Sequence, residues 1–203
     1  MPTFFYLASQ SPRRRQILDE LGAQYKILNL KEGSGESSDF DETPLPNEIA
    51  VDYVRRVSLL KARTGWSQML KLSLDPSPVL SADTTVVFDD LILGKPENRD
   101  HAIEMLERLQ GCAHKVHSCV TVKYQDQEEQ ALSTTKVTLA SLSKSDIVKY
   151  VDSGEPFGKA GSYGIQGRAG LFVQKIEGSY TGVVGLPIYE TAELLKRFDY
   201  DLL

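Results

Sequence analysis

The chain reads as an α/β or α+β sheet protein, and three observations predict it. Stretches rich in β-branched and aromatic residues alternate with stretches whose apolar residues recur at helical spacing. Two strand-like stretches, 114–124 and 130–140, follow one another as a hairpin, and glycine or proline punctuates most segment ends. Strands separated by helices, with one hairpin region, call for a mixed sheet flanked by helices. At 203 residues there is room for one large domain or for two lobes sharing a sheet.

A strand over 4–7 leads through the turn Ser9-Gln10-Ser11 into a helix that Ser11 caps and Pro12 opens, since the N–H that proline lacks would have no partner there. Ile17, Leu18 and Leu21 form its apolar stripe and Gly22 ends it. Arg13, Arg14 and Arg15 occupy the first turn, where the helix dipole disfavours cations by a few tenths to about 1 kcal/mol each. An anion reverses that sign. Exposed N–H groups, Ser9, Ser11 and the guanidinium forks therefore predict a phosphate or polyphosphate site; the alternative is a basic helix start on a solvated surface.

A short strand over 25–30 precedes a polar loop over 31–47, rich in glycine, serine and acids, whose Asp39, Asp41 and Glu42 either reach into a cleft or are solvated. A helix over 47–64 follows, with Ala50, Val54, Val57 and Leu60 inward and Gly65 closing it. Lys61 lies at the border of that stripe, so it either snorkels outward or points its ammonium into a cleft. The run 79–88 reads as a central strand turned by Asp89-Asp90, and Asp83 is the exception within it. A carboxylate buried without a partner costs several kcal/mol. Asp83 thus holds a metal, acts as a base, or caps neighbouring N–H groups.

A hairpin strand over 91–93 delivers Gly94-Lys95-Pro96, a stiff turn that fixes an ammonium or lies on the surface. A helix over 98–110 stops at Gly111, and an acidic turn over 125–129 joins the strands 114–124 and 130–140. The helix 144–153 is capped by Ser143, with Asp146 near a capping-box position. Five glycines fall in the fourteen residues 154–167, around Lys159, Tyr163 and Gln166. They suit close approach of backbone to a ligand, or a flexible connection. A strand over 171–176, a second candidate strand over 181–184 and a helix opened by Pro187 complete the chain.

The net charge of −5 argues against a nucleic-acid partner held through a basic face, and favours a small anion in one cleft. No run is long enough to span a bilayer and no leader is recognisable, so the expected location is the cytoplasm. Two cysteines make no disulfide framework. Cys112, His114, His117 and Cys119 have zinc-ligand spacing, but strand periodicity puts the first pair and the second pair on opposite faces, where they cannot close on one ion.

With Ser9-x-Ser11-Pro12-Arg13-Arg14, Asp41-Glu42, Lys61-Ala62-Arg63, Ala82-Asp83-Thr84, Gly94-Lys95-Pro96 and Lys159-Ala160-Gly161-x-Tyr163-Gly164-Ile165-Gln166-Gly167 in order, the chain resembles the Maf family nearly end to end. The resemblance implies one domain over 1–203, an elongated mixed sheet in two lobes around a central cleft, of the kind shared with the inosine-triphosphatase group. It implies a nucleoside triphosphate pyrophosphatase that cleaves between the α and β phosphates, a divalent cation, Mg2+ or Mn2+, and a homodimer. By motif, Ser9, Arg13, Arg14 and Lys159 would bind the substrate, with Lys61 and Lys95 as catalytic cations. Asp83 would accept the proton, and Asp83 and Glu42 would hold the metal. Arg13, Thr84 and Gln166 match the branch acting on dTTP and UTP, with CTP and modified pyrimidine nucleotides as further candidates. The amide of Gln166 offers one donor and one acceptor, which suits a uracil or thymine edge. The alternatives are a pyrophosphatase for ITP or XTP, and a non-catalytic nucleotide-binding regulator of septum formation. The segment around 32–38 is several residues longer than is usual in the family.

Overall fold

The central strand sets the layout. In the computed structural model, which describes residues 3–30 and 40–202, β3 (Val79–Phe88) runs between β1 (Phe5–Leu7) on one side and β5 (Ala113–Tyr124) on the other. β1 pairs in parallel with both β3 and β2 (Tyr25–Ile27), at one edge of the sheet. β5, β6 (Gln127–Leu139) and β7 (Val173–Glu177) continue the sheet antiparallel on the other side. The sheet is therefore mixed, and α1 (Pro12–Glu20), α2 (Ala50–Lys71), α3 (Arg99–Leu109), α4 (Lys144–Val151), α5 (Tyr180–Val184) and α6 (Ile188–Lys196) accompany it.

β3 carries its neighbours unevenly. β1 pairs with Val79 and Leu80, while the hairpin strand β4 (Leu91–Leu93) pairs with Val86, Val87 and Phe88 on the far end. Between these two, residues 81–85 have a strand partner only on the β5 side, among the described residues. The sheet thus opens a gap in its middle, at Asp83 and Thr84.

The same interruption divides the core. On one face, Leu80 and Ala82 of β3 and Val120 and Val122 of β5 join Phe5, Ile17, Leu18 and Leu194 in one apolar cluster. Further along that face Val86 and Val116 belong to another, with Ala102, Leu106 and Val137. The pair that separates them is Thr84 opposite Ser118, a polar row between two apolar ones. On the opposite face α2 packs, with Ser81 Oγ donating to the Ser58 carbonyl at 2.7 Å and Ser58 sharing a 2.7 Å hydrogen bond with Thr121.

Several expectations are corrected. α2 continues past Gly65 to Lys71 because that glycine is an interior contact: a Cβ there would lie 2.9 Å from the Ala8 side chain and 3.0 Å from that of Val79. The strand expected over 25–30 ends at Ile27. The β5–β6 turn is only Gln125-Asp126, so Glu128 and Glu129 belong to β6, where Arg63 and Arg197 pair with them. Residues 168–172 form a 3-10 turn before β7. The candidate strand 181–184 is helical: Ser179 accepts from the Gly182 N–H at 3.0 Å and nucleates α5. Ser11 occupies the N-cap position of α1 without a side-chain cap hydrogen bond. Most of the loop 31–47, including Asp39 and the long stretch 32–38, lies outside the described residues.

Candidate functional site

A cavity of about 1000 Å³ surrounds the gap in the sheet. It is lined by four consecutive residues of β3, Asp83 to Val86, although successive side chains of a strand point to opposite faces. A cavity can reach both faces only where the strand edge is bare, as it is here. Ser9, Arg13, Arg14, Glu42, Lys61, Asp83, Thr84, Lys95, Lys159 and Gln166 all line it, from segments far apart in the chain.

On the Asp83 face, α2 directs Lys61 inward. Its Nζ donates to Asp83 Oδ1 at 2.8 Å and pairs with Glu42 Oε1, so one buried ammonium joins two carboxylates. The snorkelling alternative for Lys61 is thereby excluded, and the partner shown for that Asp83 oxygen is an ammonium. Lys95 stands half-exposed with its Nζ 3.8 Å from Glu42 Oε2. Glu42 is positioned by the segment behind it. Asp41 accepts from the Thr43 N–H and hydroxyl at 2.8 and 2.6 Å, and Arg56 on α2 donates to the Thr43 carbonyl at 3.1 Å while gripping Glu48 through both its Nε and an Nη.

On the Thr84 face, β1 ends and α1 begins. Arg14 is buried, its Nε donating to the Gly185 carbonyl at 2.8 Å and its Nη1 to Ser9 Oγ at 2.9 Å. Ser118 Oγ donates to the Gly182 carbonyl at 2.6 Å and shares a 2.8 Å hydrogen bond with Thr84, which ties α5 and its following turn to the sheet. Arg15 is not part of this group, since it does not line the cavity and its Nε is buried without a hydrogen bond. Gly185 is a contributor that sequence reading missed. The signal was present as Ser179-x-x-Gly182 followed by Gly185 and Pro187, a capped helical turn with a glycine stop, with Gly185 at φ 131°.

The cations are under electrostatic tension. Burial lowers the pKa of Arg14 and that of Arg13, and Lys159 is lowered by burial and then by the charge of Arg13. Each such shift marks a place where the charged form lacks the solvation or counter-charge it prefers. Lys159 Nζ reaches the Glu155 carbonyl, and the glycine-rich segment is tied to the Lys95 turn by the Gly161 N–H, which donates to the Gly94 carbonyl at 3.1 Å.

Mg2+ and Mn2+ are hard cations; magnesium takes one or two protein carboxylates and completes its shell with substrate oxygens and water. Glu42 and Asp83, already converging on one positive group, fit that requirement. Among the described residues no cluster of three or more His, Cys, Asp or Glu side chains forms. His114 and His117 are engaged on opposite faces of β5, with Tyr163 at 2.7 Å and Thr134 at 2.9 Å.

A family profile described as Maf-like protein matches residues 4–198. A relative from Nitrosomonas europaea, named dTTP/UTP pyrophosphatase, is 48% identical over 95% of this chain and 93% of its own. Relatives of the same name from Bordetella avium and Chromobacterium violaceum are 47% and 46% identical, over 95% and 98% of this chain and 94% and 97% of theirs. The solved Staphylococcus aureus Ham1 protein aligns over 96% of both chains at 12% identity with a TM-score of 0.46, too slight a likeness to argue from. With its profile matched from Phe4 to Phe198 and relatives near half identical along almost their full length, the chain belongs to the Maf family.

Proposed function

We propose that this protein hydrolyses dTTP and UTP to the nucleoside monophosphate and pyrophosphate. The observation that carries the reading is the junction of Lys61 with Glu42 and Asp83 in the same cavity as Arg13, Arg14, Lys95 and Lys159. A nucleoside triphosphate brings about four negative charges, and fixed cations stabilise the charge that develops on its phosphates during cleavage. Arginine forks bind two phosphate oxygens each, while lysines act as point charges, so Arg13 and Arg14 grip the phosphates and Lys61, Lys95 and Lys159 neutralise them.

Glu42 and Asp83 would hold a divalent cation that, when bound, polarises the phosphates. Where Asp83 is not a direct ligand of that cation, its carboxylate, oriented by Lys61, accepts the proton of the water that attacks the α phosphorus, and pyrophosphate leaves as the bond to the bridging oxygen breaks. Thr84 and Gln166 also line the cavity, and the Gln166 amide reads the pyrimidine edge.

The proposal takes the chain as one domain, its cleft lying between two lobes, acting in the cytoplasm as a homodimer. Sedimentation of the purified protein tests the last point. The test of function is a panel of dTTP, UTP, CTP and ITP with Mg2+, read by pyrophosphate release and repeated with a chelator. Release from dTTP and UTP ahead of the others, silenced by the chelator, is expected. Faster turnover of ITP overturns the pyrimidine assignment, and no release from any triphosphate overturns hydrolysis.

A further inference from the structure

Four aromatic side chains line the cavity, and three of them are already engaged. Phe40 is 9% exposed, packs in the cluster of Tyr6, Leu28 and Val79, and has Lys61 Nζ 5.6 Å from its ring centre. Tyr53 lies beneath the Arg56 guanidinium at 5.6 Å. Tyr163 is 5% exposed, with its hydroxyl bonded to His114 and its ring edge-on to the imidazole. Phe157 differs. It is 45% exposed, and among the described residues it packs in none of the three apolar clusters.

The segment that carries it is held in place. Phe157 stands on the segment 155–159, and Gln166 on the segment 164–169. The Glu155 carboxylate staples them together, accepting from the Arg168 N–H at 2.9 Å, the Ala169 N–H at 3.4 Å and the Tyr150 hydroxyl at 3.2 Å. Gly167 makes room for it, because a Cβ there would lie 2.3 Å from Glu155 Oε1. Gly164 does the same for Lys159, whose Cδ and Cε would stand 2.8 Å from its Cβ. Such close packing ties together the two segments that bring Phe157 and Gln166 to the lining of one cavity. An aromatic face left open to water at a nucleotide-sized cavity is matched by the flat face of a base, while the edge of that base is met by an amide.

We infer that Phe157 is the stacking wall for the nucleobase and that Glu155, through the staple, is the positioning residue that sets the distance between this wall and Gln166. The inference rests on the nucleotide reading above and assigns its base subsite. Stacking on an aromatic contributes to ground state and transition state alike, so its loss acts on KM and spares kcat.

Phe157→Ala is therefore expected to raise KM for UTP about 5- to 150-fold, the range that stacking energies per base convert to, with kcat changed little. Phe157→Tyr restores it, and inhibition by inorganic triphosphate, which has no base, is the same in all three proteins. A KM for UTP within about twofold of the parent in Phe157→Ala, or an equal loss toward inorganic triphosphate, overturns the stack. Glu155→Gln, which keeps the volume of the staple, raises KM for UTP and narrows the preference for UTP over CTP; unchanged preference overturns its positioning role. Calorimetric titration with UMP separates this inference from the function it rests on. Parent protein that releases no pyrophosphate yet binds UMP about fivefold tighter than Phe157→Ala keeps the stack and loses the hydrolase, whereas equal UMP binding by the two loses the stack alone.

Discussion

The Lys61 junction makes the sharpest prediction, because its removal has two opposite consequences. Lys61→Met keeps most of the aliphatic stem and deletes the ammonium that joins Asp83 Oδ1, at 2.8 Å, to Glu42. Breaking a buried ion pair by removing one partner costs about 3–5 kcal/mol, since the remaining charges stay desolvated. For a chain of this size 1 kcal/mol moves the melting temperature by about 2–4 °C, so Lys61→Met should melt about 6–20 °C below the parent in a chelator. The two carboxylates are then free to take a divalent cation without a competing ammonium. Mn2+ at about a hundred times its dissociation constant would restore about 2.7 kcal/mol, or roughly 5–11 °C. The parent, whose ammonium already sits between the carboxylates, should gain less under the same conditions. Thermal unfolding with and without Mn2+, alongside calorimetric Mn2+ titration, reads both effects, and turnover of UTP should fall steeply. If the variant melts within about 2 °C of the parent, the junction is not a buried pair, and if Mn2+ stabilises the parent more than the variant, the two carboxylates are not the cation site argued here.

Three further outcomes follow from the same geometry. Gln166→Glu replaces the amide donor with an acceptor, so the specificity for UTP should fall about tenfold or more, as for one lost buried hydrogen bond, while the melting temperature stays put; an unchanged rate removes Gln166 from base reading. Burial pushes His114 down to about 4 from its ordinary 6.5. Between those values the unfolded chain binds more protons than the folded one, so His114 contributes stability that is complete above about pH 6.5 and is lost as the pH falls toward 4. Urea unfolding at pH 7, 5.5 and 4.5 should therefore show a steeper loss for the parent than for His114→Gln, and equal slopes would refute the burial argument. Gly161 has φ 67°, and a Cβ there would stand 2.9–3.0 Å from the Val86 side chain, so Gly161→Ala should cost about 1–3 kcal/mol in urea unfolding, whereas a neutral result would mean that β3 yields locally.

What could be read from the sequence was local. The helix at Pro12, the central strand from Val79 to Phe88, the Asp89-Asp90 turn and the cap at Ser143 each rest on a few neighbouring residues, and each stands where the pattern put it. The failures have a common cause in contacts between distant residues. Gly65 reads as a helix stop because glycine is a poor helix former, yet it is kept inside α2 by the close approach of Ala8, just past β1, and Val79 of β3, which sequence spacing does not reveal. Thr181 to Val184 read as a strand because the apolar and β-branched residues there suit one, but Ser118 reaches over from the sheet to the Gly182 carbonyl and Thr135 to the N-cap Ser179, and the segment is a short helix.

The site shows the same division more sharply. Asp83 was legible because a carboxylate in the middle of a β-branched, buried strand violates the propensity of its surroundings and demands a partner. That partner is Lys61, whose inward direction depends on the pairing of α2 with the face that carries Ser81 and Asp83. The cavity itself had no sequence signal, because it is made by a missing neighbour: along β3 the pairing with β1 stops at Leu80 and the pairing with β4 begins at Val86, and only the register of three strands defines the gap. A strand edge left bare inside a sheet exposes polar backbone as well as side chains, and the pairing of the chain around it would normally close it. Keeping it open is a cost that Thr84, Ser118 and the α5 turn offset by bonding across the seam from one side, while the Lys61 junction does so from the other. The residues that hold the gap open are thus, in large part, the residues that line it. Substitutions at the seam should therefore disturb the binding of a polyphosphate before they disturb the two apolar clusters on either side.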